Sequence, residues 1–158
     1  MTEIERILDQ LNLAFKGEAW HGPSVMATIQ GITAQQAAAR PFNGVHSIWE
    51  LVLHIAAWER AVGKRLGGER AQLSDAEDWP DVPQTNDQSW EEAKAALRQA
   101  HDELVQAVSE LDESKLDQSI IEGMSSAYVN LHGVIQHSLY HTGQIAILKK
   151  SFSQQETV

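Results

Sequence analysis

The chain of 158 residues contains no cysteine. That single absence excludes disulfides, thiolate metal ligands and a cysteine nucleophile together. Basic residues are scarce as well: 12 Lys and Arg stand against 22 Asp and Glu, for a formal net charge of −10. Phosphate neutralisation needs clustered cations, and no stripe of Lys or Arg occurs, so nucleic acid is not an expected partner. The acidic surface serves solubility. Uncharged apolar runs are short, none approaching the roughly 18 residues of a membrane span, so no membrane partner is expected. The first ten residues carry Glu3, Glu5, Arg6 and Asp9, which is not the pattern of a secretory signal. No internal repeat, low-complexity tract or useful alternating strand pattern is found. A single soluble, cytoplasmic domain over residues 1–158 is the expectation.

What the chain does contain is helical periodicity. Ile4, Ile7, Leu8, Leu11 and Phe15 form one stripe over Thr2 to Lys16, closed by Gly17. Short helical pieces follow, with Pro23 suited to the first turn of one and a Thr33–Gln36 capping box on the next. Ser47 and Glu50 make a second capping box, opening a long helix on Ile48, Leu51, Ile55, Val62 and Leu66 that stops at Gly67-Gly68. A polar connection over 69–88 holds Trp79-Pro80 and Pro83, where the prolines oppose regular helix; its length suits a crossover or a lid. A third helix is predicted from Ser89 to about Leu111, and a fourth over Leu131 to Lys150, with the tail from Ser151 frayed. Four long helices, with short pieces between the first two, predict an all-α four-helix bundle.

Chemistry concentrates in the last helix. His137 and His141 are four residues apart, so they lie about 40° from each other on one face. Val134, Ile145 and Leu148 share that face, which turns both imidazoles inward. Two inward histidines one turn apart can grip a single ion, but an HxxxH pair alone is a weak signal and needs a third ligand. Among the other histidines, His101 sits among Gln99, Asp102 and Glu103 and reads as a surface residue. His132 points elsewhere on its helix, His21 lies in a loop, and His46 packs locally before the Ser47 cap or reaches inward. His54 stands at the edge of the buried stripe of its helix, about 60° from Leu51. It is either a ligand or a half-buried histidine bonded to a carbonyl.

Three stretches are familiar: FKGEAWHGPS from Phe15, HSIWELVLHIAAWE from His46, and HSLYHTGQI from His137. Together they resemble the DinB/YfiT-like superfamily over nearly the whole chain. The resemblance implies a four-helix bundle with a divalent metal on His54, His137 and His141, and a homodimer. It also implies chemistry on small molecules, since characterised relatives include thiol-dependent S-transferases and a maleylpyruvate isomerase with a thiol cofactor. Three imidazoles suit zinc or nickel foremost, and iron, cobalt or copper as well.

Around such a site Glu50, one turn before His54, could hold its free N–H, although capping competes for that carboxylate. Gln144 could orient a ligand or a water, and Trp58 could wall a pocket. Glu59 falls among apolar positions, as a general base or an ion-pair partner for an arginine. Gly143 suggests close helix packing or room near the site. Metal release is expected as pH falls through about 6, where free imidazole protonates. Without a cysteine, a transferase of this kind must take its sulfur from an exogenous low-molecular-weight thiol. The alternatives are a metal-dependent hydrolase and a non-catalytic metal-binding stress-response module.

Overall fold

The computed structural model describes residues 1–153, and residues 154–158, the end of the tail expected to fray, lie outside the described part. Four long helices carry the architecture: α1 (Glu3–Lys16), α4 (Ile48–Leu66), α6 (Asp87–Ser109) and α7 (Ala127–Ser153). Between the first two run β1 (Glu18–Ala19) and β2 (Gly22–Pro23), then the short α2 (Val25–Ile29) and α3 (Ala34–Ala38). One turn, α5 (Asp75–Asp78), interrupts the long connection from α4 to α6.

The helix starts follow capping chemistry. Thr2 accepts from the Glu5 N–H while the Glu5 carboxylate returns to the Thr2 N–H, and the Thr33–Gln36 and Ser47–Glu50 pairs do the same. Each such cap satisfies donors that the first turn leaves free.

Four local expectations are corrected. Helix α6 opens at Asp87, not Ser89, because Asn86 accepts from the Ser89 N–H and takes the cap position. Pro23 belongs to β2, paired antiparallel with Glu18, and Ser24 caps α2 instead. A hairpin of two-residue strands is too short to carry a detectable period in the sequence. Helix α7 extends through Ser153, three residues past the predicted end.

Helix α4 is the centre of the bundle, packing most extensively on α6 and then on α7. Its Ile48, Trp49, Leu51, Val52, Ile55 and Val62 are buried, as are Leu97, Ala100, Leu104 and Val108 of α6. Fully burying a side chain of this size contributes about 1.5–3 kcal/mol, so the α4 stripe alone anchors the fold. Trp49 and Trp90 meet at 5.1 Å between ring centroids, and the Trp90 indole N–H donates to the Ile32 carbonyl at 2.8 Å. That bond ties the short-helix segment to α6. Because α4 packs on α7, His54 is carried to the face that holds His137 and His141.

Candidate metal centre

The site is assembled from three places in the chain. Helix α4 supplies His54, α7 supplies His137 and His141, and the connection at α5 supplies Asp78 and Trp79. His54 and His141 are buried, and His137 is half-buried. One ring nitrogen from each of the three lies within 4.8 Å of the others. His54 Nε2 is 2.9 Å from His137 Nε2.

Partners on the outer side of the rings set their tautomers. His54 Nδ1 lies 2.6 Å from the Asp78 carbonyl oxygen and 3.1 Å from Asp78 Oδ1. Both oxygens accept, so Nδ1 carries the hydrogen and the Nε2 lone pair faces the cluster. The Trp58 indole N–H donates to Asp78 Oδ1 at 2.6 Å and steadies that carboxylate. His141 Nδ1 donates to Gln144 Oε1 at 2.7 Å, which leaves its Nε2 to face inward. This is the arrangement of outer acceptors that orients metal-ligating imidazoles. His137 Nδ1 is buried without a partner among the described residues.

Burial lowers the pKa of His137 to about 4, reinforced by repulsion from His141 and His54 and opposed by Asp78. Burial also lowers that of His141, against the opposing bond to Gln144. Both rings therefore stay neutral at pH 7, the state in which imidazole binds a metal. Trp79 stacks on His54 with centroids 3.8 Å apart and on His46 at 3.5 Å. The edge of Trp58 faces His54 at 6.5 Å. These aromatic surfaces pack against the His54 ring and help fix its orientation. A cavity of about 250 Å³ adjoins His137, walled by Trp58, Val62, Arg65, Gly133 and Val134. The donor set fits a divalent ion: three imidazole nitrogens converge, and no fourth His, Asp or Glu of the described residues joins them.

Other expected residues lie elsewhere. Glu50 does not hold His54. Its carboxylate accepts from the Ser47 N–H at 2.7 Å and pairs with Arg40, beside His46. Burial pushes its pKa up, but the two Ser47 bonds with Arg40 and His46 outweigh that and hold it below the ordinary value. Capping won the competition because the backbone donor is fixed one turn away, whereas His54 faces α5.

No arginine of the described residues forms an ion pair with Glu59; His101 faces it, with Nδ1–Oε2 at 3.4 Å, and Ser138 Oγ donates to Oε1 at 3.4 Å. His101 is wholly buried, contrary to a surface reading, because the ring turns away from its polar sequence neighbours to stack on Phe15 at 3.7 Å. Gly143 faces open space, with nothing within 4 Å of a Cβ placed there, so it is not a close helix contact. Gln144 and Trp58 stand against the histidine group, as described. Nothing in the sequence pattern names Asp78 and Trp79 as partners of His54. The available signal was the Ser74-x-x-Glu77 capping box, which marks a helical turn ending beside Trp79.

The fold and site define a helical bundle with a three-histidine group that could hold a metal ion between its second and fourth long helices. The family model of the DinB superfamily matches residues 20–145, and the chain belongs to that superfamily. No curated protein and no solved structure matches the chain.

Proposed function

We propose that His54, His137 and His141 hold one divalent metal ion, zinc or nickel foremost, in an enzyme acting on small molecules. Thiol-dependent S-transfer is the reaction we favour. The observation that carries this reading is the open donor set: three converging imidazoles, no fourth protein ligand among the described residues, and a cavity alongside. Closed four-ligand sites serve structure, and three-ligand sites leave room for substrate. A bound divalent ion would supply Lewis acidity, bringing a thiol or water towards ionisation near neutral pH.

The chain's own residues do the positioning. Asp78 and Gln144 hold two of the imidazoles in the ligating tautomer, and Trp79 covers the His54 ring. With no cysteine in the protein, the sulfur comes from a small exogenous thiol. The new carbon–sulfur bond forms as the electrophile's leaving group departs, and the thiol proton passes to solvent. Proximity of the two reactants supplies much of the rate. The family likeness and the composition also support a cytoplasmic homodimer; the exposed Tyr140 and Ile147 on the outer side of α7 are consistent with a partner there.

The test combines elemental analysis with turnover assays. Protein purified without a metal-affinity step should contain about one equivalent of metal per chain. His54→Ala, His137→Ala and His141→Ala should each lose most of it while the far-ultraviolet helical signal persists, since stability rests on the core. Full metal occupancy in His54→Ala would overturn the ligand set. Electrophile turnover that proceeds without added thiol would replace transfer by hydrolysis. Metal binding with no turnover of either kind would leave a binding module.

A further inference from the structure

The cavity beside His137 is lined by a cation, Arg65, that no acid of the described residues neutralises. Arg65 is half-buried, its Nε donates to the Ala71 carbonyl at 2.8 Å, and its Nη1 donates to Asn130 Oδ1 at 3.4 Å. The guanidinium lies 5.4 Å from the Trp58 ring centroid. None of the ion pairs among the described residues includes Arg65, in a chain where acids outnumber bases by 22 to 12. Its pKa is lowered by burial, with no opposing acid. A held, partly desolvated guanidinium without a carboxylate is costly unless something else supplies the anion.

The second observation comes from the facing helix. Gly133 lies one turn before His137 on α7 and lines the same cavity. A Cβ at Gly133 would meet nothing within 4 Å, so no packing contact requires glycine there. Glycine weakens a helix interior relative to alanine. Its effect here is to leave the wall open one turn from the metal-competent group. The remaining lining is largely apolar, with Trp58, Val62, Val129 and Val134.

We propose that this cavity is the substrate subsite and that it selects a small monocarboxylate with an apolar body, the carboxylate on Arg65 and the body along Trp58 and Gly133. The assignment rests on the histidine group being the reactive centre, since the ligand's other end then lies at His137. A guanidinium fork matches a planar carboxylate. One cation in an acidic chain suits a single negative charge better than a phosphate dianion. At about 250 Å³ the space is below the roughly 300–1,000 Å³ of pockets for drug-sized ligands, which keeps the molecule small.

The test is calorimetric titration of the full-length protein with phenylacetate and with phenylacetamide, as purified and after removal of metal with EDTA. Wild-type protein should bind the acid about tenfold or more tightly than the amide in both states, the difference made by a charge-assisted bond. Arg65→Gln should abolish that preference while leaving the amide within about twofold, on the same constants. Gly133→Leu should weaken both ligands by filling the cavity. Equal binding of acid and amide by the wild type would overturn the proposal, and this comparison needs no variant to fold. So would a folded Arg65→Gln protein that keeps the preference, or a preference seen only with metal present, which would place the carboxylate on the ion. Because the metal-free titration does not depend on metal content, its result separates this subsite from the function proposed above. A metal-free protein that still prefers the acid supports the subsite even if no thiol transfer is found.

Discussion

Asp78 decides how His54 presents itself to the cluster. Its carbonyl and carboxylate oxygens both face His54 Nδ1, at 2.6 and 3.1 Å, and Trp58 anchors the carboxylate. In Asp78→Ala the backbone carbonyl remains, but the carboxylate and its link to Trp58 are lost. Metal affinity should fall by about tenfold, the low end of the roughly 10–100-fold range for such partners. Asp78→Asn keeps an acceptor and should retain most of the affinity. Competition against a fluorescent chelator measures both, and unchanged affinity in Asp78→Ala would show that the carbonyl alone orients the ring.

At the scale of elements, one buried polar knot joins the four long helices. Phe15 comes from α1, Glu59 from α4, His101 from α6 and Ser138 from α7, and they meet through the stack and the two 3.4 Å contacts. Glu59 Oε2 and both His101 nitrogens lack hydrogen-bond geometry to any partner among the described residues. The Glu59–His101 approach at 3.4 Å is a close polar contact whose angles fall outside hydrogen-bond geometry. Burial raises the Glu59 pKa, with His101 and Ser138 pulling the other way. A folded pKa above the unfolded value of 4.5 makes this group's contribution largest in acid and lost as pH rises through the folded pKa. Removing one partner strands the other: His101→Phe should destabilise by about 3–5 kcal/mol in urea unfolding at pH 7. The Glu59→Leu, His101→Phe double variant should recover most of that loss, because an apolar pair carries no desolvation cost. A double variant as unstable as the single would mean the knot stabilises the fold through more than its own compensation.

For the whole molecule, acid acts on the metal-competent group in the opposite direction. The His137 pKa is about 4 against an ordinary 6.5, so between these values the unfolded chain binds more protons than the folded one. This contribution to stability is complete above about pH 6.5 and is lost as pH falls towards about 4. The same burial would shield metal ligation by this ring from proton competition. The sequence-based expectation of metal release near pH 6 therefore moves down, and metal should be retained at pH 5.5 and released nearer pH 4. A metal-dependent rise in melting temperature, which grows with the ratio of free metal to its dissociation constant, checks this across pH. Loss of that rise already at pH 6 would mean the imidazoles titrate as though exposed.

Much of this protein is determined by local pattern. The apolar stripes of α1, α4, α6 and α7, the capping boxes at Thr2, Thr33 and Ser47, and the inward pair His137 and His141 all follow from residues within a few turns of one another. Periodicity and capping are short-range physics, readable in a single chain. The juxtaposition of His54 with that pair was implied by family likeness and required α4 to pack on α7. Tertiary structure alone decided that Asp78 and Trp79 close over His54, that Glu50 serves Ser47 and Arg40 instead, that His101 turns inward to Phe15 and Glu59, and that Arg65 shares a cavity with His137. Each of those outcomes depends on which helix faces which, and a side chain's partner across an interface leaves no periodic trace in its own neighbourhood.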